Sequence, residues 1–213
     1  MVAVSNLSAA VRSGAALALL LCFAVASAGA QPAPSEVFGF EPGADYKMAD
    51  YGQMLTYYEQ LSAASDRVQM RTIGETVAGR PMQLLFISSA DNLDSLDQIR
   101  EASSALARAR VGEDEARELS QNTPAVVWID AGMHATERAP SQMTPELAYR
   151  MATAESAEMQ KIRENTVLLL MPVMNPDGLE IVEGWYARVL DTPFETTSPP
   201  WLYQKYVGHD NNR

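Results

Sequence analysis

Apolar and polar positions change period several times along the chain, and each change marks an element. Behind Asp50, a residue suited to cap a helix, Met54, Tyr57, Tyr58 and Leu61 share one face, which predicts a helix over Tyr51–Ala64. Period two takes over at Val68, Met70 and Thr72, which alternate with Arg67, Gln69 and Arg71. Gly79-Arg80-Pro81 then turns the chain into Met82-Gln83-Leu84-Leu85-Phe86-Ile87-Ser88, so two paired antiparallel strands are expected. Leu93, Leu96, Ile99 and Leu106 return to helical spacing and predict a surface helix from Leu93 to Arg110, while Gly112 to Asn122 reads as a polar loop.

Ala125-Val126-Val127-Trp128-Ile129 and Thr166–Met171 are continuous apolar runs rich in β-branched residues, the pattern of strands buried on both faces. Between them Met143, Leu147 and Met151 mark a helix starting near Pro140, which Met159 to Arg163 continues or restarts. Strand, helix, strand predicts a right-handed crossover with parallel strands. Ligands of such sheets collect beyond the carboxyl ends of the strands, so the segments after Ile129 and Met171 are where chemistry is expected.

The two ends of the chain read differently. Arg12, the uncharged apolar stretch Gly14 to Ala26 and the small residues Ala28-Gly29-Ala30 suggest a signal peptide over residues 1–30, hence export to a periplasmic or extracellular location. About 13 strongly apolar residues are too few to span a bilayer, which needs ~20, so no stable membrane anchor is expected. Gln31 to Ala44 is rich in Pro, Gly and Ala and reads as a leading segment over residues 31–45, with the folded domain over 46–213. Cys22, the only cysteine, would leave with the signal, so disulfides would contribute nothing to the mature chain. Loss of Arg12 would take the net charge from -11 to -12. So acidic a chain, with no basic run, is a poor partner for nucleic acid or an anionic membrane.

Candidate chemistry falls where the topology puts it. Gly132 allows a sharp exit from the first apolar run, so that His134 and Glu137 of His134-Ala135-Thr136-Glu137 can converge on one cation; an imidazole and a carboxylate together suit zinc. The bland alternative is a histidine hydrogen-bonded to a carboxylate in a turn. Asn175-Pro176-Asp177-Gly178 follows the second run and is a turn sequence, in which Pro presets φ, Asp bonds the backbone locally and Gly takes positive φ. In Gly208-His209-Asp210-Asn211-Asn212-Arg213, a guanidinium fork beside an amide donor suits a carboxylate.

Three motifs in this order resemble the zinc carboxypeptidase family, the carboxypeptidase A-like metallopeptidases. The resemblance implies a three-layer α/β/α fold with a mixed, largely parallel twisted sheet, of which this chain holds the N-terminal part. It implies Zn2+ held by His134 and Glu137, and hydrolysis of C-terminal peptide bonds by zinc-activated water. A peptide or protein with a free C-terminus would be the partner, its carboxylate gripped by Asn212 and Arg213. Arg188 is the nearest match to the family's oxyanion-stabilising arginine, although a surface arginine beside an aromatic is an equal reading. Arg138 could orient substrate or be merely solvated. The turn at Asn175 shapes the site wall, and His209 falls at a variable position that is not assigned to zinc. The third zinc ligand and the glutamate base would fall beyond Arg213, so the 213 residues alone are expected to hydrolyse nothing. A zinc amidase or deacylase of related fold, or a catalytically dead peptide-binding domain, are the rival readings.

Overall fold

The structure is a computed structural model that describes residues 30–199. The stretch read as a signal peptide, all but its last residue, and the whole Gly208–Arg213 motif, with His209, Asn212 and Arg213, lie outside the described residues.

Helix α2 (Tyr51–Ala64) begins where the pattern puts it. Asp50 accepts from the Gln53 amide at 2.7 Å while the Gln53 side chain accepts from the Asp50 amide at 3.1 Å, a reciprocal box that satisfies two otherwise orphan donors. Its apolar face, Met54, Tyr57, Tyr58 and Leu61, is wholly shielded from solvent. At ~1.5–3 kcal/mol for each fully buried side chain, this face drives the docking of α2 onto the rest of the core.

Strands β1 (Val68–Glu75) and β2 (Pro81–Ile87) pair antiparallel, with an irregularity between Thr72 and Gly74 that turns Ile73 out to solvent. Strand β4 (Thr166–Met171) joins β2 antiparallel and β3 (Ala125–Asp130) joins β4 in parallel, giving the order β1-β2-β4-β3. The sheet is mixed, as the α/β expectation has it. Among the described strands only the β3–β4 pairing is parallel, a smaller share than "largely parallel" implies. Leu85, Ile87, Leu168 and Leu170 face a core shared with α2 and with two later helices, α6 (Arg138–Thr153) and α8 (Pro176–Val189). Leu84, Val167 and Met171 point the other way and are buried too, so β2 and β4 are covered on both faces.

Several expectations are corrected. Strand β3 is not buried on both faces: Val126, Val127 and Trp128 are each more than 40% exposed, because β3 is the edge of the described sheet. Leu93 to Arg110 is not one helix but α3 (Ala90–Asp94) and α4 (Leu96–Ala107), broken at Ser95, whose φ of -106° and ψ of 15° interrupt the spiral. Gly112 to Asn122 is not a loop but holds α5 (Glu113–Asn122). That helix buries no residue fully and its apolar stripe is only Ala116 and Leu119, half-buried one turn apart; its further support is an acidic first turn at the positive end of the dipole and the Glu113–Arg117 pair at 3.0 Å. The leading segment, finally, contains α1 (Pro34–Phe38), and Phe38 lies in the core 5.7 Å from the Tyr57 ring.

Helix α6 connects the two parallel strands. It buries Ser141, Thr144, Pro145, Ala148, Met151 and Ala152, and leaves Met143, expected on the core face, 48% exposed. Small residues let α6 lie close to α2, where Tyr58 and Thr144 share a buried hydrogen bond of 2.8 Å. The helix ends at Thr153 and α7 (Ala157–Asn165) restarts the spiral behind Ser156. Two arginines close its carboxyl end: Arg67 donates to Ala152 O at 2.9 Å, and buried Arg163 donates to Met151 O at 3.0 Å and Ala154 O at 2.6 Å. Cations there satisfy carbonyls with no partner inside the helix and complement its dipole.

Glu155 accepts from Arg67 at 2.6 Å and from Arg163 at 3.4 Å. The Arg67 bond, opposed by some desolvation and aided by Gln160 and both guanidinium charges, holds the Glu155 carboxyl below its ordinary range. A carboxyl depressed on folding stabilises the fold above its unfolded pKa and loses that contribution as pH falls through the folded one. Glu155→Gln is therefore expected to cost stability at pH 7, with the difference from wild type starting to shrink near the usual glutamate pKa of about 4.3 and vanishing only below the depressed folded value. Urea titrations at several pH values test this, and a pH-independent difference would contradict it.

Candidate metal centre

Beyond their last residues β3 and β4 stay joined. The Ala131 amide donates to Met171 O at 3.1 Å, Met174 N to Ala131 O at 2.7 Å and Asn175 N to Gly132 O at 3.0 Å. The two internal motifs are thereby tied backbone to backbone at the carboxyl end of the parallel pair. Gly132 turns the chain there with φ +64°, and a Cβ would stand 3.1 Å from Cβ of Ser141 on α6. A side chain at this position is disfavoured both by conformation and by space.

The turn brings His134 and Glu137 together. The Glu137 amide donates to His134 O at 3.0 Å, and His134 Nδ1 lies 2.9 Å from Glu137 Oε2. Glu137 is the N-cap of α6, but its carboxylate caps no amide of its own helix and faces the imidazole. The His134 side chain is mostly enclosed at 14% exposure, whereas that of Glu137 is 56% exposed. A nitrogen and a carboxylate oxygen converging at a half-open surface are a donor set zinc accepts. Among the described residues no group of three His, Cys, Asp or Glu side chains gathers to hold a metal. A catalytic zinc ordinarily has three protein ligands, of which this pair could supply two.

The second motif departs from its turn reading. The Asn175 side chain accepts from the Gly178 amide at 2.9 Å and caps α8, Pro176 takes the first helical position, and Gly178 sits inside the first turn rather than at positive φ. Nor does Asp177 bond locally. Only 8% exposed, it accepts from Thr76 Oγ1 at 2.8 Å, the Ala78 amide at 3.2 Å and Arg80 Nη1 at 2.8 Å, all in the β1–β2 turn. Arg80 also approaches Glu180 at 3.6 Å, and Glu180 accepts from the first amide of α2, that of Tyr51, at 2.9 Å. One knot thus fixes the hairpin and the starts of α8 and α2. Sequence reasoning missed it; the signal was Arg80 in the hairpin turn, a cation a hundred residues away from the carboxylate that needs it when buried.

Arg188 stands in the last turn of α8, exposed, with its guanidinium 5.7 Å from the Trp185 ring centre. That ring is its one partner among the described residues. Arg138 follows Glu137 at the first position of α6 and is exposed.

Two substitutions probe the scaffold. Gly132→Ala is expected to destabilise the fold by about 1–3 kcal/mol, through the strained φ and the Ser141 contact. Asp177→Asn weakens charge-assisted bonds that lie away from the pair, at a cost of about 1.5–3 kcal/mol. Chemical denaturation measures both, and a neutral Gly132→Ala would mean that the turn relaxes freely.

A profile of the zinc carboxypeptidase family matches residues 54–213. Among solved structures, a metallo-carboxypeptidase from Burkholderia cenocepacia aligns with 60% of this chain and 27% of its own, at 20% identity and a TM-score of 0.42. Carboxypeptidase A from Helicoverpa armigera aligns with 83% of this chain and 36% of its own, at 16% identity and a TM-score of 0.48. For the metallo-carboxypeptidase from Pseudomonas aeruginosa the shares are 70% and 33%, at 18% identity and a TM-score of 0.43. The matched part of this chain thus spans 27% to 36% of the length of these three proteins.

Proposed function

The chain belongs to the zinc carboxypeptidase family, and from that membership we propose that it forms the zinc-binding part of an exported metallocarboxypeptidase, with His134 and Glu137 as ligands. The observation that carries the assignment is the match of residues 54–213 to the zinc carboxypeptidase family, and the 2.9 Å approach of His134 Nδ1 to Glu137 Oε2 beyond the carboxyl ends of the parallel pair supports it. Zinc, when bound, supplies a Lewis acid that polarises a peptide carbonyl and activates water.

The chain's own residues prepare that site. Gly132 sets the turn and Ser141 packs against it, so the imidazole and carboxylate are held before any ligand arrives. Such preorganisation limits the ordering that binding must otherwise impose. Asn212 and Arg213 would grip the free carboxylate of the substrate, which favours a chain end over an internal bond. Arg188 is the residue proposed to face charge developing on the scissile carbonyl. A third ligand and a carboxylate base would have to come from elsewhere, since among the described residues no third His, Cys, Asp or Glu gathers with the pair. Export rests on the apolar, uncharged stretch Gly14 to Ala26 with small residues after it.

Zinc affinity is the direct readout, because it needs no turnover. Chelator competition on the whole chain should show zinc binding that falls about 100-fold or more in His134→Ala and Glu137→Ala, beyond the 10–100-fold typical of losing a supporting contact. Zinc should also raise the unfolding midpoint of wild type and leave that of the His134 variant unmoved. If wild type takes up no zinc, or His134→Ala binds it as wild type does, the assignment is wrong.

A further inference from the structure

At the start of α6, where Arg138 follows Glu137 along the chain, lies a hollow of about 230 Å³ whose lining includes Tyr46, Lys47, Arg138, Gln142 and Tyr186. We propose that it is an anion-binding subsite that seats the carboxylate of an acidic side chain on a peptide held at the metal pair. This deepens the carboxypeptidase reading and rests on it for the identity of the peptide.

Charge is the first observation. Arg67, Arg80, Arg117, Arg150 and Arg163 each have a carboxylate partner. The side chains of Lys47 and Arg138 have none among the described residues, yet two separate segments bring them to one concavity on a chain of net charge -11. A carboxylate from outside would complete the set, and two cations on a concave wall focus the local field on it. The first amides of α6 add a positive end at the same place.

The hollow is also built in advance. Gln142 clamps the preceding segment to α6, its amide accepting from Ala49 N at 2.8 Å and donating to Ala49 O at 3.0 Å. Hydrogen bonds from Ala44 N to Glu41 O at 2.9 Å and from Lys47 N to Ala44 O at 3.2 Å shape the turn that presents Lys47. Tyr46 holds a left-handed φ of 61°, a strained conformation for a tyrosine, and is 67% exposed. Tyr186, on α8, offers a hydroxyl from the opposite wall. Desolvation, and then the nearby Glu195 and Tyr46, push its pKa up, so it remains a donor. Glu195 and Asp191, the carboxylates that act on Tyr186, are not among the residues lining the hollow.

The test uses two isosteric peptides, acetyl-Glu-Phe and acetyl-Gln-Phe, titrated into the whole chain in EDTA and followed by NMR. The Glu peptide is expected to bind about fivefold to tenfold more tightly, in line with one or two charge-assisted contacts. Its shift changes should centre on Tyr46, Lys47, Arg138 and Tyr186, and the preference should shrink as salt rises. Lys47→Gln with Arg138→Gln should bring the two peptides to within about twofold of each other, because only neutral partners remain. Equal binding of the two peptides by wild type, a Glu preference that survives the double variant, or shift changes elsewhere would overturn the proposal. Should the variant not fold, the wild-type shift map decides. Zinc uptake by the same protein preparation, measured separately in EDTA-free buffer, distinguishes the two readings: zinc bound without a Glu preference removes the subsite alone, and a Glu preference without zinc uptake supports the subsite and removes the metal assignment.

Discussion

The parallel pairing of β3 with β4, carried past both strand ends by the bonds of Ala131, Met174 and Asn175, is the constraint on which the site depends. Without it, His134 and Asn175 would sit on two independent loops whose separation nothing fixed. With it, the Gly132 carbonyl is bonded to the first residue of the second motif, and the chain has one geometry available for leaving β3. Gly132 must then be a glycine, since a Cβ would press on Ser141 while the backbone is already left-handed. Ser141 in turn lies one turn inside α6, so the same contact sets where α6 starts. That start makes Glu137 the N-cap and turns its carboxylate to the imidazole.

Because α6 transmits this constraint, its other attachments bear on the site. Its carboxyl end is closed by Arg67 and Arg163, its middle is bonded through Thr144 to Tyr58, and Gln142 reaches the backbone before α2. These contacts resist sliding of α6 along its own axis, the movement that would separate Glu137 from His134. The knot at Asp177 does the same for α8 by anchoring its first turn to the β1–β2 hairpin. Polar groups buried in this way stabilise less than apolar packing of equal size, but they admit a single register.

The sequence displays those parts of the fold that bury an apolar face. Helix α2 was legible to the residue because Met54, Tyr57, Tyr58 and Leu61 are all inside and Asp50 caps it. The paired strands and the positions of both internal motifs followed from period and topology. Helix α5 left only a faint trace, Ala116 and Leu119 one turn apart among the charges that hold it at the surface. Strand β3 misled in the opposite sense: its composition is that of a two-sided strand, yet the described sheet ends with it. Asp177 shows a third kind of failure. A turn motif announces local bonding, whereas the partners it took stand about a hundred positions earlier, and no local rule couples them. The pairing of His134 with Glu137 was legible because it spans three residues and needs only a turn.

Glu137 and Arg138 are consecutive and yet face different neighbours, and the helix start explains how. An N-cap residue has non-helical dihedrals, here φ -88° and ψ 76°, whereas the next residue already follows the spiral. Neighbouring side chains across such a break diverge, so Glu137 faces His134 while Arg138 lines the hollow with Lys47. At physiological salt, charges beyond about 8 Å are largely screened, so the acidity of the whole chain matters less to an arriving carboxylate than these adjacent cations do. One helix start thus turns a carboxylate toward the imidazole and a guanidinium toward the hollow within a residue of each other. Any displacement of α6 would move both together.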